Sequence, residues 1–178
     1  GGIARFVKKV ILLTFIIELA GALLYMIVFI PEFGIKGIWV SVFTAVSAFC
    51  NAGIDIISEN SLCGYTLNPI INITTIILII SGGIGFVVLF DLIRLSENKK
   101  LKGLKFLSLH SKIALSLTAF LIFFGTVFIF IFEYNNPDTL GRYTFFEKIM
   151  IALFQSVTLR TAGFASIAQE CITDASAF

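Results

Sequence analysis

Three stretches of this chain, residues 10–30, 69–93 and 113–132, are almost continuously apolar over at least 20 residues each. A bilayer core of about 30 Å is crossed by a helix of about 20 residues, so each stretch is long enough to span one. The first is interrupted by little more than Thr14, Glu18 and small residues. Composition points the same way: 58% of the residues are hydrophobic, 13% are charged and the mean hydropathy is +1.01. Soluble domains carry about 25% charged residues. Twenty Phe beside three Pro also exclude a disordered or linker-like chain. The sequence predicts an all-α protein whose solvent is the lipid bilayer.

Two further apolar segments, 38–49 and 145–159, would reach only about 18–22 Å as helices, too little to cross. They read as segments that enter the membrane and return. The charges orient the rest. Nine of the 13 Lys and Arg lie in two clusters, Arg5, Lys8 and Lys9, then Arg94, Lys99, Lys100, Lys102, Lys105 and Lys112. The positive-inside rule places residues 1–9 and 94–112 in the cytoplasm. Glu32, Asp55, Glu59, Glu133, Asp138 and Glu147 then fall outside. Basic residues confined to membrane flanks do not form the polar face that nucleic acid needs. The predicted order is a first unit at 1–95, with spans at about 10–30 and 69–93 and a re-entrant segment at about 36–54. A basic cytoplasmic linker follows at 96–112. A second unit at 113–178 has a span at about 113–132 and a re-entrant segment at about 144–164. The chain starts with Gly and stops in a polar stretch, so it is read as an internal fragment with the second unit truncated.

The two units repeat in residues as well as in order. Phe43-Thr44-Ala45-Val46-Ser47 and Phe154-Gln155-Ser156-Val157-Thr158 both read F-x-x-V-[ST]. Each leads into a polar residue, Ala, Gly and a bulky apolar residue: Asn51-Ala52-Gly53-Ile54 and Thr161-Ala162-Gly163-Phe164. The first copy carries one inserted residue. A half-helix ending in mid-membrane leaves its last carbonyls unpaired and carries about half a negative charge there, which stabilises a cation. The extended chain beyond it offers carbonyl oxygens that can replace an alkali ion's hydration shell. Glycine suits such a strand because it adopts backbone angles closed to other residues. The alternative is that each Gly only caps its half-helix.

Other residues have narrower readings. Glu18 is costly in a span unless paired, which suggests an interhelical hydrogen bond, with an ion-pathway carboxylate as the alternative. Arg160 precedes the second Ala-Gly pair and is expected to turn away from it and meet Asp55 or Glu59. Gly82, Gly83 and Gly85 read as close helix packing, with a gating hinge as the alternative. Asp91 and Arg94 read as anchors at lipid head groups. Cys50, Cys63 and Cys171 have neither disulfide-framework nor zinc spacing, and His110 is read as solvated. Neither paired membrane aspartates nor a Ser beside a buried His is present, so no catalytic residue and no cofactor are assigned. A secondary transporter with re-entrant hairpins would show an inverted repeat, whereas both segments here enter from one side.

Ser47-Ala48-Phe49-Cys50-Asn51-Ala52-Gly53 resembles the second pore loop of the Trk/Ktr/HKT potassium transporters, and Thr158-Leu159-Arg160-Thr161-Ala162-Gly163-Phe164 is similar to their third. Gly82-Gly83-Ile84-Gly85-Phe86 with Asp91-Leu92 resembles the inner helix between them, and Leu107-Ser108-Leu109-His110-Ser111-Lys112 and Glu133-Tyr134-Asn135-Asn136 also fit. The resemblance implies helix–pore–helix repeats around a pseudo-fourfold cation pore, incomplete here, with repeats one and four and one inner helix outside the sequence. It implies a potassium filter at Asn51, Ala52, Gly53, Thr161, Ala162 and Gly163. It also implies uptake driven by the membrane potential, with sodium dependence or sodium permeation as the variant. The implied partners are the remaining repeats of the same chain, a second copy in a homodimer and a cytosolic nucleotide-binding regulatory subunit. Ile54 stands where the family more often has Phe, Leu159 where Pro is common, and Cys50 where Asn is frequent.

Overall fold

The computed structural model describes residues 2–57, 61–97, 106–167, 171–173 and 176. Six α-helices account for most of them: α1 Gly2–Phe33, α2 Lys36–Phe49, α3 Pro69–Gly83, α4 Phe86–Glu97, α5 Leu109–Glu133 and α6 Phe145–Thr161. No strand occurs among the described residues. Helices α1 and α5 are each long and apolar enough to cross a membrane. Large apolar side chains along them face outward, including Phe15 at 61% and Phe123 at 68% exposure. In water such continuous apolar surface would drive association; against lipid tails it costs nothing.

The chain reverses sharply after α1. Gly34 takes φ +60, and its N–H donates to the Ile30 carbonyl at 2.8 Å. A Cβ on Gly37 would lie 2.3 Å from the Phe29 carbonyl oxygen, so only glycine lets α2 start this close to α1. Tyr25 and Phe29 of α1 are fully buried, stack on each other with ring centroids 5.7 Å apart, and centre the core. The Tyr25 and Thr75 hydroxyls share a hydrogen bond of 2.7 Å that ties α1 to α3. The Tyr65 hydroxyl, in the connection between α2 and α3, donates to Glu32 near the end of α1 at 2.5 Å; burial and that carboxylate push its pKa up. Asn68 caps α3, accepting from the Ile70 and Ile71 amides at 3.1 and 3.3 Å, with Pro69 at the first helical position.

The apolar run 69–93 is not one straight helix. It is divided between α3 and α4, which bend by 109° at their junction. Gly85 has φ +87 there, a conformation that ends a right-handed helix and is inexpensive only for glycine. Of the three glycines read as close packing or a hinge, Gly85 therefore marks a break in this structure. Helix α4 is tied to the start of α5 through Asp91 Oδ2, which accepts from the Ser108 and Ser111 hydroxyls at 2.5 Å each. Residues 98–105 of the basic linker lie outside the described residues.

Helices α5 and α6 form the second unit. The Ser156 hydroxyl donates to the Ile122 carbonyl at 3.0 Å, and Gly125 makes room for Ser156. Thr144 and Glu147 build a reciprocal capping box at the start of α6. At the end of α5, Glu133 is completely buried. It accepts from Asn136 Nδ2 at 2.8 Å, Thr139 Oγ1 at 2.6 Å, the Thr173 amide at 2.9 Å and Thr173 Oγ1 at 2.6 Å. One carboxylate thus binds the α5–α6 connection to the chain beyond α6. Replacing it by Leu strands several buried donors, so Glu133→Leu should lower the unfolding free energy of the full-length protein by roughly 2–3 kcal/mol or more. Thermal unfolding in detergent reads this; an unchanged midpoint would show that the cluster contributes nothing.

Candidate ion-conducting site

Helices α2 and α6 end in the same way, and the endings meet. At the end of α2 the Ala52 amide donates to the Ser47 carbonyl at 2.9 Å, while the Ser47 hydroxyl donates to the Ile54 carbonyl at 2.5 Å. At the end of α6 the Gly163 amide donates to the Thr158 carbonyl at 3.1 Å, while the Thr158 hydroxyl donates to the Phe164 carbonyl at 2.7 Å. Ser47 and Thr158 hold the last position of the repeated F-x-x-V-[ST] pattern. In both units this hydroxyl reaches past the Ala-Gly pair and fixes the residue after it. The motif was visible in the sequence, but that its final hydroxyl grips the loop was not.

The inserted residue of the first copy is accommodated at Asn51, which takes φ +54. Asparagine tolerates this left-handed region better than most residues. Asn51 follows the C-cap Cys50, so it occupies the left-handed place where α2 ends. Gly53 has its own positive φ of +65, two residues later. Capping therefore does not account for Gly53. Gly163, with φ +82, directly follows the C-cap Ala162 and does both jobs.

What requires glycine at 53 is the other loop. A Cβ there would lie 1.6 Å from the Ala162 carbonyl oxygen and 3.0 Å from Gly163 Cα. A Cβ on Gly163 would meet only Gly53 Cα, at 4.0 Å. The Thr161 hydroxyl donates to Asn51 Oδ1 at 2.9 Å. Asn51, Gly53, Thr161, Ala162 and Gly163 are thus brought together, with backbone against backbone; Ala52 is the residue between the first two. The bulky residues that follow are treated differently. Phe164 is fully buried, whereas Ile54 is 61% exposed. The substitution at 54 therefore sits on the surface of this structure, outside its core.

Two negative features stand beside this junction. The carbonyl ends of α2 and α6 carry the negative poles of their helices. Glu18 of α1 lies with Oε1 4.0 Å from the Cys50 thiol at the tip of α2, a weak interhelical hydrogen bond whose donor is a thiol. Gly82 of α3 abuts the same tip: a Cβ there would lie 1.7 Å from the Phe49 carbonyl oxygen and 3.1 Å from Asn51 Nδ2. Close packing at Gly82 is therefore against the half-helix end.

Arg160 does not pair with Asp55, one of the two acids expected for it. Its Nε is buried without a hydrogen-bond partner. The side chain lines a cavity of about 300 Å³ between α5 and α6, with Leu121, Phe128, Ser156 and Leu159. None of the filter candidates lines that cavity. Asp55 is not its hydrogen-bond partner among the described residues, and Glu59 lies outside them.

The steric asymmetry sets an expectation. Gly53→Ala cannot be built without displacing the Ala162 backbone, whereas Gly163→Ala has space and suffers only its left-handed backbone, costing about 1–2 kcal/mol. In the full-length protein, Gly53→Ala should lower the detergent melting temperature more than Gly163→Ala. Equal shifts would mean that the two loops do not touch in the assembled protein.

The family described as "TrkH: Cation transport protein" matches residues 1–176. The potassium/sodium uptake protein NtpJ of Enterococcus hirae is 41% identical over 167 residues, covering 93% of this chain and 35% of that protein. The Ktr system potassium uptake protein B of Bacillus subtilis is 40% identical over 168 residues, 94% of this chain and 36% of that protein. Its counterpart in Vibrio alginolyticus is 36% identical over 164 residues, 92% of this chain and 35% of that protein. The chain therefore spans about a third of the length of these relatives.

Proposed function

The chain belongs to the TrkH family of cation transport proteins, transporters of the cytoplasmic membrane and not enzymes, and from that membership we propose that the full-length protein takes up potassium. The ion passes through a channel-like filter to which this chain contributes two of four loops, Asn51-Ala52-Gly53 and Thr161-Ala162-Gly163. Backbone carbonyls of these loops replace the ion's water, and the negative ends of α2 and α6 lower the cost of a cation between them. The membrane potential drives the inward step, supplying about 2.3 kcal/mol per 100 mV for one charge. The observation that carries this reading is the contact of the two loops. Segments 110 residues apart converge on one point through matched hydroxyl locks, as two quarters of a shared pore require.

Residues 1–95 act as one complete helix–pore–helix repeat and 113–178 as most of a second, joined by the cytoplasmic linker 96–112. Repeats outside this chain complete the ring. A homodimer and a cytosolic nucleotide-binding subunit are the partners of this reading; relatives called protein B of a Ktr system are in keeping with a multi-component assembly. Sodium is the second reading, favoured by the relative named as a potassium/sodium uptake protein.

Rubidium uptake by the full-length protein, in cells lacking their own potassium uptake, tests the proposal. Gly53→Ser and Gly163→Ser, at matched membrane expression, should each abolish uptake or admit sodium. Uptake indifferent to both substitutions would place the ion path elsewhere and reduce the glycines to structural residues.

A further inference from the structure

At the end of α1 opposite its turn into α2, a groove of about 720 Å³ opens between α1 and α4. Phe6, Leu12, Leu13 and Ile16 form one apolar wall, and Phe90 and Ile93 form the other. The rings of Phe6 and Phe90 touch edge to face, with centroids 5.7 Å apart, and join the two walls. The polar residues of the groove are Lys9, Arg94 and Glu97, two cations against one carboxylate. Asp91, three residues before Arg94, accepts hydrogen bonds from Ser108 and Ser111 and also feels the charge of Arg94, but it does not line the groove. The bend at Gly85 is what turns α4 toward the start of α1.

The geometry points to this groove as a binding site for one anionic phospholipid, its phosphate between Lys9 and Arg94 and an acyl chain along Leu12, Leu13 and Ile16. Three features select that occupant. The two cations come from different helices and face one groove, as phosphate recognition needs. The apolar wall runs from Lys9 along α1 toward the membrane centre, so one molecule must be both anionic and fatty. The positive-inside rule places the groove at the cytoplasmic leaflet, where anionic lipids reside. A free phosphate would leave the apolar wall uncovered. The lipid's seat is the same whichever cation the protein conducts.

The test uses the purified full-length protein in detergent, with its melting temperature followed during titration with dioctanoyl phosphatidylglycerol or dioctanoyl phosphatidylcholine. Phosphatidylglycerol should stabilise saturably and phosphatidylcholine should not. Each cation near the lipid surface contributes a factor of about five, so Lys9→Gln should raise the half-saturating concentration about fivefold and Lys9→Gln with Arg94→Gln roughly 25-fold. The pair Arg5→Gln with Lys8→Gln makes the same charge change outside the groove lining and should shift it less than about twofold. Equal effects of the two lipids would overturn the proposal, as would equal weakening by the control pair, which would make the attraction one of net charge. If the double variant does not fold, native mass spectrometry of the wild type decides: one retained phosphatidylglycerol with Lys9→Gln showing less supports the site, and no retained lipid contradicts it.

Discussion

The governing constraint is that the short helices α2 and α6 end against each other, and the backbone groups of their last turns must find partners in the chain that follows. In a low-dielectric layer an unpaired backbone group costs several kcal/mol, so such an ending survives only if the chain beyond it is held. Ser47 and Thr158 supply the hold, each bridging from the last turn of its helix to the carbonyl after the Ala-Gly pair. With the loop clamped at both ends, the oxygens between them are kept from collapsing back onto the helix.

The rest of the chain serves to bring these two endings to one place. The turn at Gly34 and Gly37 folds α2 back along α1. The absence of a side chain at Gly82 lets α3 seat on the tip of α2. The Leu62 amide, which donates to the Ala165 carbonyl at 3.0 Å, and Thr66, which donates to the Ser166 carbonyl at 2.5 Å, stitch the outer connection of the first unit to the segment after Gly163. The units are therefore coupled both at the glycines and above them. Glu133 performs the same task within the second unit.

Much of this was legible in the sequence because the signals are local or repeated. Length and hydropathy separate the long helices α1 and α5 from the short α2 and α6, and the doubled F-x-x-V-[ST] pattern points to the residues that the fold brings into contact. What was not legible depends on partners far along the chain. The buried Glu133 looks like any acid at a span end until Thr173, 40 residues later, is placed beside it. Gly82, Gly83 and Gly85 announce close approach, but composition does not reveal that Gly82 meets Phe49 while Gly85 breaks the helix. Arg160 was assigned an acid by charge alone, and its position is decided instead by the space between α5 and α6.

The most direct measurement is an experimental structure of the full-length protein with rubidium or thallium in place of potassium, read for ion density. If the two loops share one ion path, density lies on the axis between the backbones of Gly53 and Gly163, within coordination distance of their carbonyl oxygens. Ion density confined to another cavity, with none at this level, would contradict that assignment and leave the junction of α2 and α6 a purely structural joint.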